Sequence, residues 1–366
     1  MTITQPARAA GRAGSSPGPR DADRVRTAVD GVLHAFLDTK AARAPDPCIP
    51  PLVDVIREFL AGGKRLRPMF CYAGWTMAGG DPASKAIVQA GAGLELFHSF
   101  ALIHDDIMDA SDSRRGRPTV HRVLASRSPG RGEALDAARF GTSAAILVGD
   151  LCMVWSDELM RVNVAPHRTR RARPFLTAMR TELMAGQYLD ICADSPADPL
   201  DRAWRVIRHK TAAYTVERPL QIGAALAGGD DRLLAFCTAY GRPLGEAFQL
   251  RDDLLGVFGD AALTGKSNLD DLRDGKRTVL ILLTYQRATP AQRAVLRRLH
   301  GRATLDQAGA DEIRSIIRAT GADALVEQLL ARREDAAIEA VRRAPISAAA
   351  RQVLTDLARA ATRRDA

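Results

Sequence analysis

The sequence predicts an all-α protein folded as a single large helical bundle. Three observations carry that expectation. Apolar residues recur at helical spacing from about residue 24 onward, as in Val32, Leu33, Phe36 and Leu37. Alternating runs of β-branched residues, the mark of strands, are nearly absent. Ala, Leu and Arg are abundant while aromatic residues make up 5% of the chain, a balance that favours helix.

In chain order, residues 1–23 read as a disordered tail, because Met1 to Arg20 is rich in Ala, Gly, Pro, Ser and Arg. The same Arg-rich, acid-poor composition also marks organelle transit peptides. Residues 24–366 read as one domain. After the Val32–Leu37 stretch, Val53, Val55, Ile56, Phe59 and Leu60 repeat at helical spacing. Helical segments follow over 87–108, 134–163, 170–193, 201–227, 231–257, 277–287 and 290–364, the last with shorter breaks. Between them stand Gly62-Gly63, Gly79-Gly80-Asp81-Pro82, Arg115-Gly116-Arg117-Pro118, Ser195-Pro196-Ala197-Asp198-Pro199 and Gly228-Gly229-Asp230.

The 366 residues suffice to bury a substantial core, and 46% hydrophobic with 26% charged residues is the balance of an ordinary soluble protein. Much of the net charge of +9 lies in the tail and in Arg168, Arg170, Arg171 and Arg173, read as a solvated surface segment. No aromatic residues interleave that run, which argues against nucleic-acid binding. Cys48, Cys71, Cys152, Cys192 and Cys237 are dispersed and never in a Cys-x-x-Cys pair, which fits a reducing cytoplasm and neither a disulfide framework nor a zinc site. The most apolar stretch, Ala144 to Trp155, is interrupted by Asp150 and falls short of the roughly 18 apolar residues of a membrane span.

Chemistry concentrates in two acidic clusters, Asp105-Asp106-Ile107-Met108-Asp109 and Asp252-Asp253. Asp105 and Asp109 share one helix face a turn apart, with Asp106 beside them. Acidic residues also cap helices or decorate wet faces. Here Leu96, Phe97, Phe100, Ala101, Leu102 and Ile103 precede the cluster, so the carboxylates open onto an apolar groove. Uncompensated carboxylates are costly there, and divalent cations bound to a substrate diphosphate would gather them.

Cationic turns accompany the acids. Ser113-Arg114-Arg115-Gly116-Arg117-Pro118-Thr119 presents paired arginines suited to phosphate. Gly62-Gly63-Lys64-Arg65-Leu66-Arg67-Pro68 is a second Gly-loosened cationic turn and not a Walker loop. His98 lies about two turns before Asp105 on the same face, where a histidine is commonly structural unless basic groups converge on it. The second half adds Gly186-Gln187-x-x-Asp190, Lys210-Thr211, Phe248-Gln249-x-x-Asp252-Asp253, Gly265-Lys266 and Gly275-Lys276-Arg277-Thr278.

In that order these motifs resemble the trans-isoprenyl diphosphate synthase (polyprenyl synthetase) family, and most of all its geranylgeranyl diphosphate synthases, over roughly residues 50–290. The resemblance implies the isoprenoid synthase type of helical bundle around a central active-site cavity. It implies Mg²⁺-dependent head-to-tail condensation of isopentenyl diphosphate with an allylic diphosphate, and a homodimer. Asp105 and Asp109, supported by Asp106, would hold two Mg²⁺, and Asp252 with Asp253 nearby a third. Lys210, Thr211, Gln249, Lys266 and Arg114 would contact the allylic diphosphate. Lys64, Arg67, His98 and Arg115 would seat isopentenyl diphosphate, with Gln187, Asp190 and Lys276 supporting the pocket.

One departure stands out. The family commonly carries Asp-Asp-x-x-Asp as its second motif, but the fifth position here is Gly256. Asp260 lies about two helical turns from Asp252, too far to replace it. The expectation is that Asp252 still binds the third metal, with weaker affinity. For product length, Phe100 sits roughly 7.5 Å along the helix from Asp105. With Ala101 and Phe97 beside it, and no insertion in the first motif, it resembles the floor of a 20-carbon synthase. Farnesyl diphosphate synthesis is the alternative product. A class I terpene cyclase would need an Asn-Asp-x-x-Ser-x-x-x-Glu type second motif, which is missing, and a non-catalytic subunit would be expected to lose the first acidic motif.

Overall fold

The structure, a computed structural model, describes residues 19–128, 134–192, 199–259 and 268–362. Expected features at residues 1–18, Asp260 and Lys266 lie outside the described residues. The first helix, α1 (Pro19–Ala42), begins inside the segment read as tail. It is followed by α2 (Ile49–Leu60), α3 (Leu66–Met77) and α4 (Lys85–Met108). Next come a short hairpin (β1 Ser113–Arg114, β2 Arg117–Pro118), α5 (Val120–Ser126), α6 (Ala134–Leu159) and α7 (Pro166–Ile191). Then α8 (Pro199–Val206) runs through a π-helical segment, Ile207–Glu217, into α9 (Arg218–Ala227), and α10 spans Asp231–Phe258. The expected 290–364 segment breaks into Pro290–Leu299, Gln307–Thr320, Ala322–Arg343 and Ala348–Thr362. Gly301 and Gly321, both at positive φ, and Pro345 stand at or near its breaks.

Local chemistry sets the boundaries. Ser84 caps α4 by accepting from the Ala86 amide, and Asp230 caps α10 through the Leu233 amide at 2.8 Å. The helix α3 is absent from the sequence expectation because Gly-Gly-Lys-Arg-Leu-Arg-Pro reads as a turn. Pro68 in its first turn is compatible with a helix start. Arg65 takes φ 49° just before it, a conformation costing a non-glycine residue about 1–2 kcal/mol. Its side chain is held by Asp30 (2.8 Å), Glu95 (2.9 Å) and the Leu60 carbonyl (2.6 Å).

Two apolar clusters form the interior. One joins α1–α7, α9 and the first half of α10 with the last helix; the other joins the second half of α10 with the helices after it. Thus α10 belongs to both. α4 packs mainly on α6 and α3, while α10 packs mainly on the π segment and on Ala322–Arg343. The two acid-bearing helices therefore stand apart, and side chains cross the space between them.

Two surface expectations change. α4 and α6 are each long and apolar enough to cross a membrane by length and composition, because an 18-residue window tolerates a charge such as Asp150. The α4 window is 67% buried in the fold, the behaviour of a core helix, whereas the α6 window is only 28% buried. Within the arginine run, Arg171 donates to the Gly229 carbonyl at 2.9 Å and pairs with Asp231. That member of the run pins the α9–α10 turn instead of being freely solvated.

Candidate active site

The first acidic cluster ends α4, with Asp109 as its C-cap. Asp105 accepts from Lys210 Nζ at 2.8 Å and Gln187 Nε2 at 3.0 Å. Lys210 also reaches Asp190 at 2.7 Å. Gly186 makes this possible: a Cβ there would lie 2.4 Å from the Lys210 backbone nitrogen, so only glycine lets α7 close on the π segment. Burial works against ionised Asp105, yet the Lys210 ammonium, its hydrogen bond and Arg114 outweigh it and hold the carboxyl below its ordinary range. Asp106 is 1% exposed and pairs with Arg114, accepting from its Nε at 2.8 and 3.0 Å and lying 2.7 Å from its Nη2. Burial pushes the pKa of Asp106 up despite Arg114; burial and then Asp105 do the same for Asp109.

Arg114 is delivered by the hairpin. Its central residues Arg115 and Gly116 both take positive φ, 54° and 71°, the pattern of a type I′ turn. The segment read as a flexible turn is therefore an ordered hairpin. Arg115 projects toward the upstream turn, where a Cβ on Gly63 would stand 3.3 Å from its Nη1. Arg67 bonds Thr215 at 2.8 Å and lies 4.1 Å over the Tyr214 ring, and its Nε is buried without a partner. His98 Nδ1 is within hydrogen-bond reach of the Tyr214 hydroxyl. Burial first, then Arg67, Arg115, Arg114 and Arg65, push His98 well below its ordinary pKa, so it is neutral at pH 7. Arg67, His98 and Arg115 thus converge on a region of surplus positive charge, while Lys64 is exposed on the adjoining turn. Arg65 turns inward as a strut, a distinction that Lys-Arg-Leu-Arg does not display in sequence.

Across the cavity, Thr211 donates to Gln249 Oε1 at 2.6 Å, and Gln249 Nε2 donates to Asp253 at 2.7 Å. Asp253 is 6% exposed; burial first, with Asp271 and Asp252 adding, pushes it up to about 8. Asp252 is half-buried beside it on α10. Lys276 stands between the walls, 3.4 Å from Asp109 and 3.2 Å from Asp271. Tyr214, Asp271 and Arg65 are the site residues that sequence reasoning missed. The adjacency of Tyr214 to Lys210-Thr211 was the available signal.

Among the described residues, no three His, Cys, Asp or Glu side chains converge into a closed metal cage. Mg²⁺, which keeps waters and rides on one or two carboxylates plus substrate phosphate, does not require such a cage. The donor set is oxygen only, and burial first raises the pKa values of Asp106, Asp109 and Asp253, so a bound cation would favour their ionised forms.

Phe97 (1% exposed) and Phe100 (5%) line α4 behind the acids, their ring centroids 5.5 Å apart, with Ala101 half-buried alongside. Phe100 also meets the His104 ring at 4.7 Å, and Phe97 the Tyr214 ring at 6.0 Å.

The polyprenyl synthetase family model matches residues 50–317. A (2E,6E)-farnesyl diphosphate synthase of Mycobacterium bovis is 32% identical over 319 residues, 83% of either chain. A geranylgeranyl diphosphate synthase of Saccharolobus solfataricus is 30% identical, covering 79% of this chain and 82% of its own. Among solved structures, a geranylgeranyl pyrophosphate synthase of Corynebacterium glutamicum, complexed with isoprenyl diphosphate and magnesium, matches with a TM-score of 0.88. It is 39% identical, over 94% of this chain and 99% of that one.

Proposed function

The chain belongs to the polyprenyl synthetase family and is a trans-prenyl diphosphate synthase, and on that premise we propose that it condenses isopentenyl diphosphate with an allylic diphosphate to give the 20-carbon geranylgeranyl diphosphate. One observation carries the reading. Arg114 stands between a carboxylate set (Asp105, Asp106, Asp109) and a cationic set (Arg67, Arg115 around His98), a pairing that suits two diphosphates with different needs.

Asp105 and Asp109, with Asp106 in support, would hold two Mg²⁺ ions, and Asp252 with Asp253 a third. Bound there, Mg²⁺ neutralises the charge that develops on the leaving diphosphate. Lys210, Arg114, Thr211 and Gln249 orient the allylic diphosphate, with Lys266 as a further expected contact. As the allylic C–O bond breaks, the alkene of isopentenyl diphosphate attacks the allylic carbon, and Lys64, Arg67, Arg115 and neutral His98 keep that second diphosphate in line. The departed diphosphate, held by Lys210 and Arg114, takes the proton that restores the new double bond. Phe97 and Phe100 exclude water from the cation, and no side chain acts as nucleophile.

Relatives named for farnesyl and for geranylgeranyl products match to similar degrees, so the 20-carbon reading rests on Phe100 as floor. The test is incubation with Mg²⁺, isopentenyl diphosphate and each allylic primer, followed by chromatography of the dephosphorylated products. A 20-carbon product from farnesyl diphosphate is expected; arrest at 15 carbons supports farnesyl synthesis, and cyclised or absent products refute condensation. Phe100→Ala should lengthen the product, and an unchanged length removes Phe100 from that role. We further propose a cytoplasmic homodimer. Free cysteines support the compartment, and the exposed stripe Phe140, Leu147, Val154 on α6, spaced by seven, supports the interface. Leu147→Asp should give a monomer by sedimentation.

A further inference from the structure

Arg65 and Arg67 leave the same cationic turn, and the fold holds them by opposite means. Arg65 is neutralised by two carboxylates, Asp30 at 2.8 Å and Glu95 at 2.9 Å. Arg67 is held by neutral groups: its Nη2 donates to the Thr215 hydroxyl at 2.8 Å, and its Cζ lies 4.1 Å from the centre of the Tyr214 ring. A neutral anchor fixes the guanidinium and leaves its charge for an outside anion.

Thr215 suits that contact. It lies 148 positions from Arg67 in sequence and is 1% exposed within the π-helical segment Ile207–Glu217. A threonine inside a helix commonly returns its hydroxyl to a carbonyl four residues back, as Thr76 does to Tyr72 and Thr284 to Leu280. The Thr215 hydroxyl instead meets a side chain from another element. Its β-branched side chain has few rotamers, so the acceptor is fixed in space. Arg67 has a long stem and like-charged neighbours, since it stands with Arg114 and Arg65 in the field around Arg115. Repulsion there favours swinging Arg67 out to solvent, and its Nε is already buried without a partner. The Thr215 hydroxyl and the Tyr214 ring face oppose both tendencies.

We propose that Thr215 is a positioning residue of the second diphosphate site, setting the Arg67 guanidinium toward isopentenyl diphosphate. It acts through Arg67, and so rests on Arg67 contacting that diphosphate as proposed above. The same π segment carries Lys210 to Asp105 and Thr211 to Gln249, so one element serves both substrate sites.

The test is steady-state kinetics of the full-length protein with Mg²⁺, with circular dichroism to confirm folding. Isopentenyl diphosphate is varied first, then farnesyl or geranyl diphosphate, whichever primer turns over. Thr215→Val keeps the shape and removes the acceptor. It should raise KM for isopentenyl diphosphate about tenfold while kcat and KM for the primer stay within about twofold of the wild type. Thr215→Ser keeps the hydroxyl and should stay within about twofold throughout. Should Thr215→Val not fold, Thr215→Ala carries the same expectation. In an Arg67→Met background, Thr215→Val should add nothing, because its effect passes through Arg67. A wild-type KM in Thr215→Val overturns the assignment. So does a loss shared by kcat and both substrates, or an effect that persists beside Arg67→Met. If Arg67→Met itself leaves KM for isopentenyl diphosphate unchanged, Arg67 is no diphosphate contact and the role of Thr215 falls with it, a result distinct from a silent Thr215→Val. A wild type that elongates neither primer overturns the condensation and this role together.

Discussion

Gly186→Ala places one methyl group where α7 meets the π segment. Its Cβ would lie 2.4 Å from the Lys210 nitrogen and 2.9 Å from the Lys210 Cα, whereas ordinary contact begins at 3.4 Å, so the two elements must separate by 3.4 − 2.4 = 1.0 Å. The opposing atoms are backbone, and no side chain can swing aside. Gln187 and Asp190 ride on the same turn of α7, so their 3.0 Å and 2.7 Å bonds to Asp105 and Lys210 stretch past hydrogen-bond reach. A displacement of about 1 Å in a positioning shell costs about 100-fold in rate, or about 2.7 kcal/mol of barrier. Overpacking lowers fold stability by about 1–3 kcal/mol. Steady-state kcat/KM with labelled isopentenyl diphosphate, alongside urea denaturation, measures both. Gly31→Ala is the control, since nothing lies within 4 Å of its Cβ on the exposed face of α1; it should stabilise by about 0.5–1 kcal/mol. A Gly186→Ala enzyme with wild-type kcat/KM would refute the positioning role of this contact.

Three further outcomes follow from the same geometry. Arg115→Met should raise KM for isopentenyl diphosphate about 10- to 100-fold, the loss of a charge-assisted contact, with no loss of fold stability because Arg115 is crowded by Arg114, Arg65 and Arg67. Glu95→Gln removes one of the two carboxylate charges that balance buried Arg65 and should cost about 3–5 kcal/mol in denaturation. The third concerns His98, whose pKa in the fold lies well below its ordinary 6.5. Below pH 6.5 the unfolded chain takes up the proton that the folded chain refuses. Its contribution is therefore present above 6.5 and lost as pH falls, and His98→Gln should flatten the stability profile below pH 6.5.

Helical periodicity and the four-residue spacing of Asp105 and Asp109 made the bundle and its first acidic face legible, because both depend on contacts within one element. The order of the cationic motifs made the arginine cluster around His98 legible in outline. What stayed hidden depends on contacts between elements. Lys64, Arg65 and Arg67 read alike, yet Arg65 is 6% exposed and bound to Glu95, a choice made by α4 and not by its own neighbours. Leu66–Met77 was obscured because a glycine pair and a proline bracket its start. Lys210 and Thr211 address different helices from a π turn, which no apolar period announces.

The cations lodged among the acids have a consequence for how the protein meets its metal. Asp105, Asp106 and Asp109 already hold Lys210, Arg114 and Lys276 as partners. The chain thus carries its own counterions, and its architecture does not wait on an outside supply. Chelation should silence the enzyme while leaving it folded, and returning the metal should revive it without refolding. Such a protein can be made and stored in a magnesium-poor interval and enter service when the ion returns.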